Sequence, residues 1–187
     1  MTKSSIVLSV CIALNEGDKV KCKKIINDNY PFKYKETKCR SYTKIKLTRV
    51  FIRNGFIDRY SGEKLVFPGT LMILSKELPI EFPYQKNWKM TECHIAYWHM
   101  YPTADHITPI ARGGTNDEDN LVTTSMLRNS SKSNFTLEEL GWKLYPQGDI
   151  KEWDGLIKWF IDYVDKHNTL LEDNYIKEWY RAAIKNL

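Results

Sequence analysis

Paired cysteines are missing from this sequence. Cys11, Cys22, Cys39 and Cys93 form no CxxC pair and keep no regular spacing. That excludes the disulfide frame of a small secreted domain and suits free thiols in a reducing compartment. Long apolar runs are missing too, since none approaches the roughly 20 residues that cross a bilayer. The N-terminal stretch IVLSVCIAL has one lysine before it and no small-x-small pattern after it, which argues against a secretion signal. Its Ile6, Val10, Cys11 and Leu14 share a stripe and predict an amphipathic helix. Internal repeats and low-complexity tracts are absent. The expectation is a cytoplasmic protein.

Acidic residues are scarce in one region. Between Lys19 and Arg49 eleven Lys/Arg face only Asp28 and Glu36, a net +9, whereas the rest of the chain sums to −4 and the whole to +5. Such a block suits a polyanion, because each phosphate contact releases counterions. A solvated, lysine-rich helix face is the alternative, and charge does not choose between them.

What is present is enough for a core. The 187 residues fit one domain, or one domain with appendages, and 42% are hydrophobic, including 11 Tyr, 7 Phe and 6 Trp. Residues 19–27 predict a second helix, stopped by Pro31. The basic segment Arg40–Phe56 is read as a helix ended by Gly55. DRYSGEKLVFPGTLMIL reads as a hairpin with a Ser61-Gly62 turn, halted by Pro68-Gly69. Met90–Met100 looks helical, with Thr91 as N-cap and Pro102 as its end. Thr136-Leu137-Glu138-Glu139 is a capping box, and Gly141 stops its helix. Two amphipathic helices follow Ile150: Trp153, Leu156, Ile157, Phe160, Ile161 and Val164 face one way on the first, and Tyr175, Ile176, Trp179 and Ile184 on the second. This region reads as an aromatic packing layer rather than a ligand pocket.

The stretch DHITPIARGGTNDEDNLVTTSMLRNSSKSN carries the chemistry. It predicts a strand (residues 104–110), a loop (111–119), a second strand (121–124) and a helix from about Ser125. Asp105 and His106 are neighbours on a strand, so their side chains point to opposite faces. One can hold a cation while the other works on a different side of the reacting group. Asn129, on the following helix, can reach back. Asp105 and the Asn129 amide oxygen are hard ligands for a divalent cation, and a histidine can take the proton of an attacking water. Asn120 is placed to fix the loop, while Arg128 and Lys132 add positive charge where phosphates would sit. This set suits phosphodiester hydrolysis.

With His106, Asn120 and Asn129 in that frame, the stretch resembles the HNH endonuclease motif. The preceding Asp, the Gly-Gly before an acidic loop, the Asn-Leu pair and Asn-Ser-Ser-Lys match the family pattern as well. The resemblance implies a ββα-metal fold with His106 as general base, Asp105 and Asn129 as metal ligands, Asn120 bracing the loop, and Lys132 on backbone phosphate. Asn129 stands where the family often has His, the HNN variant, and an amide oxygen suits Mg²⁺, with Mn²⁺ as substitute. Many relatives also carry two CxxC pairs as a structural zinc site, and this chain has none. The resemblance covers residues 51–142, about half the chain, and its specific motif about thirty residues.

The expected fold class is therefore α+β, a ββα-metal core with helical additions at both ends. The expected division is a basic extension (1–50), the nuclease module (51–142, motif 104–134) and a helical region (143–187). Arg53 and Arg59, with ion pairing as the alternative, and Arg112 complete the expected DNA contacts. Cys93, His94, His99 and His106 do not make a convincing zinc cluster, because adjacent Cys93 and His94 point apart on a helix. Asp117, Glu118 and Asp119 read as a hydrated loop, and His167 as a helix-end residue without a catalytic role.

The expected activity is hydrolysis of DNA, of restriction type or otherwise, with no membrane partner. Bracing the core, pairing two copies as a homodimer and recognising the target are all open to the C-terminal helices. Competing readings are a DNA-binding protein with a non-cleaving HNH unit, an RNA-directed or toxin-like nuclease, a homing-type or general nuclease, and a helical interaction protein.

Overall fold

The computed structural model describes residues 1–32 and 42–187. Cys39, Lys33, Lys35, Lys38 and Arg40 of the basic block, and the first two residues of the segment Arg40–Phe56 lie outside them. The chain forms two compact units, Met1–Thr37 and Lys38–Leu187. The architecture is α+β, mostly helical, with one two-stranded antiparallel sheet among the described residues. Among these residues no helix is long and apolar enough to cross a membrane.

The first unit packs α1 (Lys3–Asn15) against α2 (Lys19–Asn29). Thr2 and Asp18 cap them through side-chain oxygens that accept from Ser5 N and Lys21 N. The buried stripe of α1 differs from the expected one: Ile6 and Ala13 are buried, whereas Cys11 and Leu14 are exposed. Apolar residues run nearly all round this helix, so their spacing has no polar face to orient against.

The second unit is built on α3 (Lys44–Arg53), capped by Thr43. Here the expected hairpin shrinks to one antiparallel bridge, Ile57↔Lys64. Pro68 does not stop a strand but opens α4 (Pro68–Glu77), at a position where its missing N–H costs nothing. The expected helix Met90–Met100 is only one turn, α5 (Ala96–His99). The residues ahead of it are captured by tertiary contacts. Cys93 Sγ accepts from Gln85 N, His94 N donates to Pro83 O, and the His94 ring stacks 4.2 Å from Phe82.

The two C-terminal helices, α8 (Ile157–Lys166) and α9 (Asn174–Asn186), seal the core against α3 and α4. Trp179 stacks on Phe51 with ring centroids 6.4 Å apart and sets its edge to Phe67 at 5.4 Å, and Phe160 lies 5.1 Å from Phe67. Burial of such side chains contributes roughly 1.5–3 kcal/mol each. The aromatic region is thus a packing layer, although Trp153 and Leu156 precede α8 and Ile184 is exposed.

α3 also holds the sheet. β1 (Pro102–His106) pairs antiparallel with β2 (Leu121–Ser125), with Asp105 opposite Val122 and His106 opposite Leu121. Thr123 N donates to Asn54 Oδ1 and its hydroxyl to Val50 O. Pro102 is the first residue of β1, where no ladder donor is needed. β1 ends at His106 rather than Ile110 because the Asn120 side chain, not a strand, meets the backbone of Thr108. α6 (Met126–Lys132) follows β2, capped by Ser125, and α7 (Leu137–Leu140) carries the expected capping box.

Candidate active site

The turn after α3 prepares one wall of the site. Asp58 is fully buried, and its carboxylate accepts from Tyr60 N, the Thr124 hydroxyl and Ser125 N, each at 2.9 Å. These bonds lock the turn to the end of β2 and aim Tyr60 inward. The Tyr60 hydroxyl then donates to Asp105 Oδ2 at 2.7 Å. Burial, reinforced by the neighbouring carboxylate, pushes this phenol well above its usual range, so it stays a donor.

The other group on Asp105 is unexpected. Lys132 is not at the surface awaiting a phosphate but fully buried, with Nζ 2.9 Å from Asp105 Oδ2 and donating to His106 O at 2.7 Å. The reason is geometric. Thr103 and Asp105 share one face of β1, and α6 lies against it. Asn129 and Lys132 are three residues apart on that helix, so they meet these two in turn: Asn129 Nδ2 donates to the Thr103 hydroxyl at 2.9 Å, and Lys132 reaches Asp105.

His106 points the opposite way, as alternation along a strand requires. Its Nε2 lies 3.2 Å from the Tyr42 hydroxyl and 3.2 Å from Asn116 Oδ1. The loop that carries Asn116 is braced as expected of Asn120. That side chain accepts from Thr108 N at 2.9 Å and donates to Thr108 O at 3.0 Å and Thr115 O at 2.8 Å. Gly113 turns the chain at φ +96°, and Gly114 allows the close approach, since a Cβ there would lie 1.9 Å from Thr108 O. Gly114→Ala should therefore cost about 1–3 kcal/mol in urea unfolding and speed amide exchange at Thr108. A cost below about 0.5 kcal/mol would show that the loop yields freely.

The arginines differ in what they are available to do. Arg128 lies over the Trp142 ring, 5.4 Å from its centroid. Arg112 donates to Asn134 O and pairs with Glu139. Arg53 donates to Glu118 O and Leu121 O, and Arg59 to Tyr145 O and Asn54 Oδ1, so both hold the fold together. They line a cleft of about 220 Å³ with Ile107, Asp119 and Gln147. Glu118 in the acidic loop lies 3.7 Å from Arg49 and 3.8 Å from Arg53, so that segment is tethered as well as hydrated.

Asp105 and Asn129 carry oxygens of the kind that a hard cation takes. Both groups that hold Asp105 land on Oδ2, and Asn129 is held through Nδ2. Asp105 Oδ1 and Asn129 Oδ1 are the oxygens left for a metal, and Mg²⁺ takes the remainder of its shell from water and phosphate. Among the described residues no three His, Cys, Asp or Glu side chains form a group that could hold a metal ion.

Four residues of the site carried no signal in the sequence: Tyr42, Asp58, Tyr60 and Asn116. The first three precede the motif by tens of residues, and Asn116 is one polar residue in a polar loop. No protein-family model, curated protein or solved structure matches this chain.

Proposed function

We propose that this chain is a metal-dependent endonuclease of the HNH type, with β1, β2 and α6 as a ββα-metal core, and that it hydrolyses DNA. The observation that carries the reading is the opposed placement of Asp105 and His106 at the end of β1, beside Asn129 on α6. His106 takes a proton from water, and the hydroxide oxygen attacks phosphorus as the bond to the leaving oxygen breaks. The leaving oxygen takes a proton from surrounding water, and the imidazolium returns its own. A Mg²⁺ held by Asp105 and Asn129, or Mn²⁺ in its place, would polarise the phosphate and stabilise charge on the leaving oxygen. Because Lys132 already offsets the charge of Asp105, metal and substrate should bind cooperatively, the phosphate supplying negative charge that the protein does not.

Outside the core, Lys19, Lys23 and Lys24 are exposed on α2 and suit sequence-independent phosphate binding. Part of the basic block serves the fold instead: Lys44 pairs with Glu178 and lies over the Tyr175 ring.

The test is incubation of the purified chain with long DNA and Mg²⁺, beside an EDTA control, followed by sequencing of product ends. Cleavage that EDTA abolishes is the expected result. Ends at one short motif would indicate a restriction role, one long site a homing role, and random ends a general nuclease. The Lys132–Asp105 pair favours one second reading, a unit that binds DNA without cutting it. Retention of DNA with no cleavage in Mg²⁺ or Mn²⁺ would establish that reading over the first.

A further inference from the structure

We infer that Arg49 and Arg53 on α3 form a clamp for one phosphate group of the bound DNA strand, and that Glu118 fills the clamp while DNA is absent. The inference deepens the nuclease reading, on which it rests for the identity of the ligand, and concerns binding rather than the chemical step.

Arg49 and Arg53 are four residues apart on α3, so their side chains share one face of the helix. Glu118 stands between them: Oε1 lies 3.7 Å from Arg49 Nη1, and Oε2 lies 3.8 Å from Arg53 Nη1. Both distances exceed the roughly 2.9–3.0 Å of an ordinary N–H···O bond. One carboxylate is thus shared by two guanidiniums and completes a hydrogen bond to neither. Arg53 Nη2 donates to Glu118 O and Leu121 O, but its Nε is buried without a hydrogen-bond partner. Burial, reinforced by the positive charge of Arg53, holds the Arg59 guanidinium below its ordinary range. Asp119 lines the cleft with Arg53 and Arg59. Three guanidiniums therefore stand against two carboxylates, and one positive charge is left over.

A phosphodiester supplies what this arrangement lacks. Its two free oxygens share one negative charge and accept from two guanidiniums at once, and the arginine fork suits such contacts better than a lysine ammonium. The position also suits a strand lying at His106. Thr123, whose hydroxyl donates to Val50 O of α3, shares its sheet face with Leu121. Leu121 is the register partner of His106, so α3 and the His106 side chain lie on the same face. A strand with its scissile phosphate at His106 meets the clamp with a neighbouring phosphate, which displaces the Glu118 carboxylate. The Arg49 and Glu118 side chains are exposed, so this exchange leaves the core in place.

The test is fluorescence anisotropy of the full chain with a short labelled DNA duplex in EDTA, over a range of salt, so that binding is read without cleavage. Arg49→Gln should weaken binding about 3–10-fold and lower the slope of log K against log salt by about 1. Arg49→Lys should keep that slope and lose part of the affinity, because the charge stays and the fork does not. Glu118→Gln should tighten binding about 2–5-fold, and this gain should largely vanish in the Arg49→Gln background, since the two residues act on one phosphate. The substituted side chains are exposed, so circular dichroism of each variant should match the wild type. An equal gain from Glu118→Gln in both backgrounds would overturn the inference, because it would mark a long-range charge effect. Unchanged affinity and slope in Arg49→Gln would overturn it as well. Failure of the nuclease reading shows differently, as wild-type protein that leaves DNA uncut in Mg²⁺ while this binding pattern persists.

Discussion

Lys132→Met should lower the stability of the folded chain by about 3–5 kcal/mol. Methionine keeps the length of the side chain and removes the ammonium. Lys132 is fully buried, and its partner Asp105 is nearly so. Without Nζ, the Asp105 carboxylate keeps the Tyr60 hydroxyl but loses its neutralising charge, and His106 O loses its donor. An uncompensated buried charge costs far more than an exposed ion pair contributes, and exposed pairs contribute about 0–1 kcal/mol. Urea unfolding monitored by far-UV circular dichroism measures the loss. The double variant Lys132→Met with Asp105→Asn should recover part of it, because no charge is then left unpaired. A cost for Lys132→Met below about 1 kcal/mol would mean that water reaches Asp105 and that the pair is not sealed.

His106→Ala is the counterpart on the opposite face of β1. The side chain is half-exposed and contributes little to the core, so unfolding should change by less than about 1 kcal/mol. On the proposed nuclease reading, cleavage in Mg²⁺ should nevertheless fall by 10²–10⁴, the order of magnitude that one general base supplies. DNA affinity, measured by fluorescence anisotropy, should stay within about twofold, because the loss lies in the chemical step and not in binding. Retention of more than roughly a tenth of the wild-type rate would remove His106 from the role of base. The two variants thus separate stability from chemistry at adjacent strand residues: one removes the support of Asp105, the other the proposed base.

Much of the local structure is legible in the sequence. Thr136 with Glu139 forms the capping box that its spacing announces, and Asn120 grips the loop at Thr108 and Thr115. The strand–loop–strand–helix order of the motif is present, with β1 shifted toward Pro102. These features depend on residues close in the chain, where hydrogen-bonding geometry leaves few options. The errors have a common origin as well. Pro68 reads as a terminator because proline both ends strands and begins helices, and the burial of the residues that follow decides which. Met90–His94 have helical spacing, yet Gln85 holds Cys93, and Pro83 and Phe82 hold His94.

Within the site, residue types and spacing were sufficient to place Asp105 and His106 on opposite faces and Asn129 on the helix beside them. Strand alternation and helical rise require no distant partner to operate. The partners of those residues come from elsewhere: Tyr60 and Lys132 on Asp105, Tyr42 and Asn116 on His106. Tyr42 and Tyr60 stand 64 and 45 residues from the groups they touch. A lysine on a short polar helix looks solvated in any local view, and only packing of α6 on β1 takes Lys132 out of water and sets it against a carboxylate. Sequence spacing specifies which groups share a face, whereas desolvation and pairing arise from the contacts that close over them.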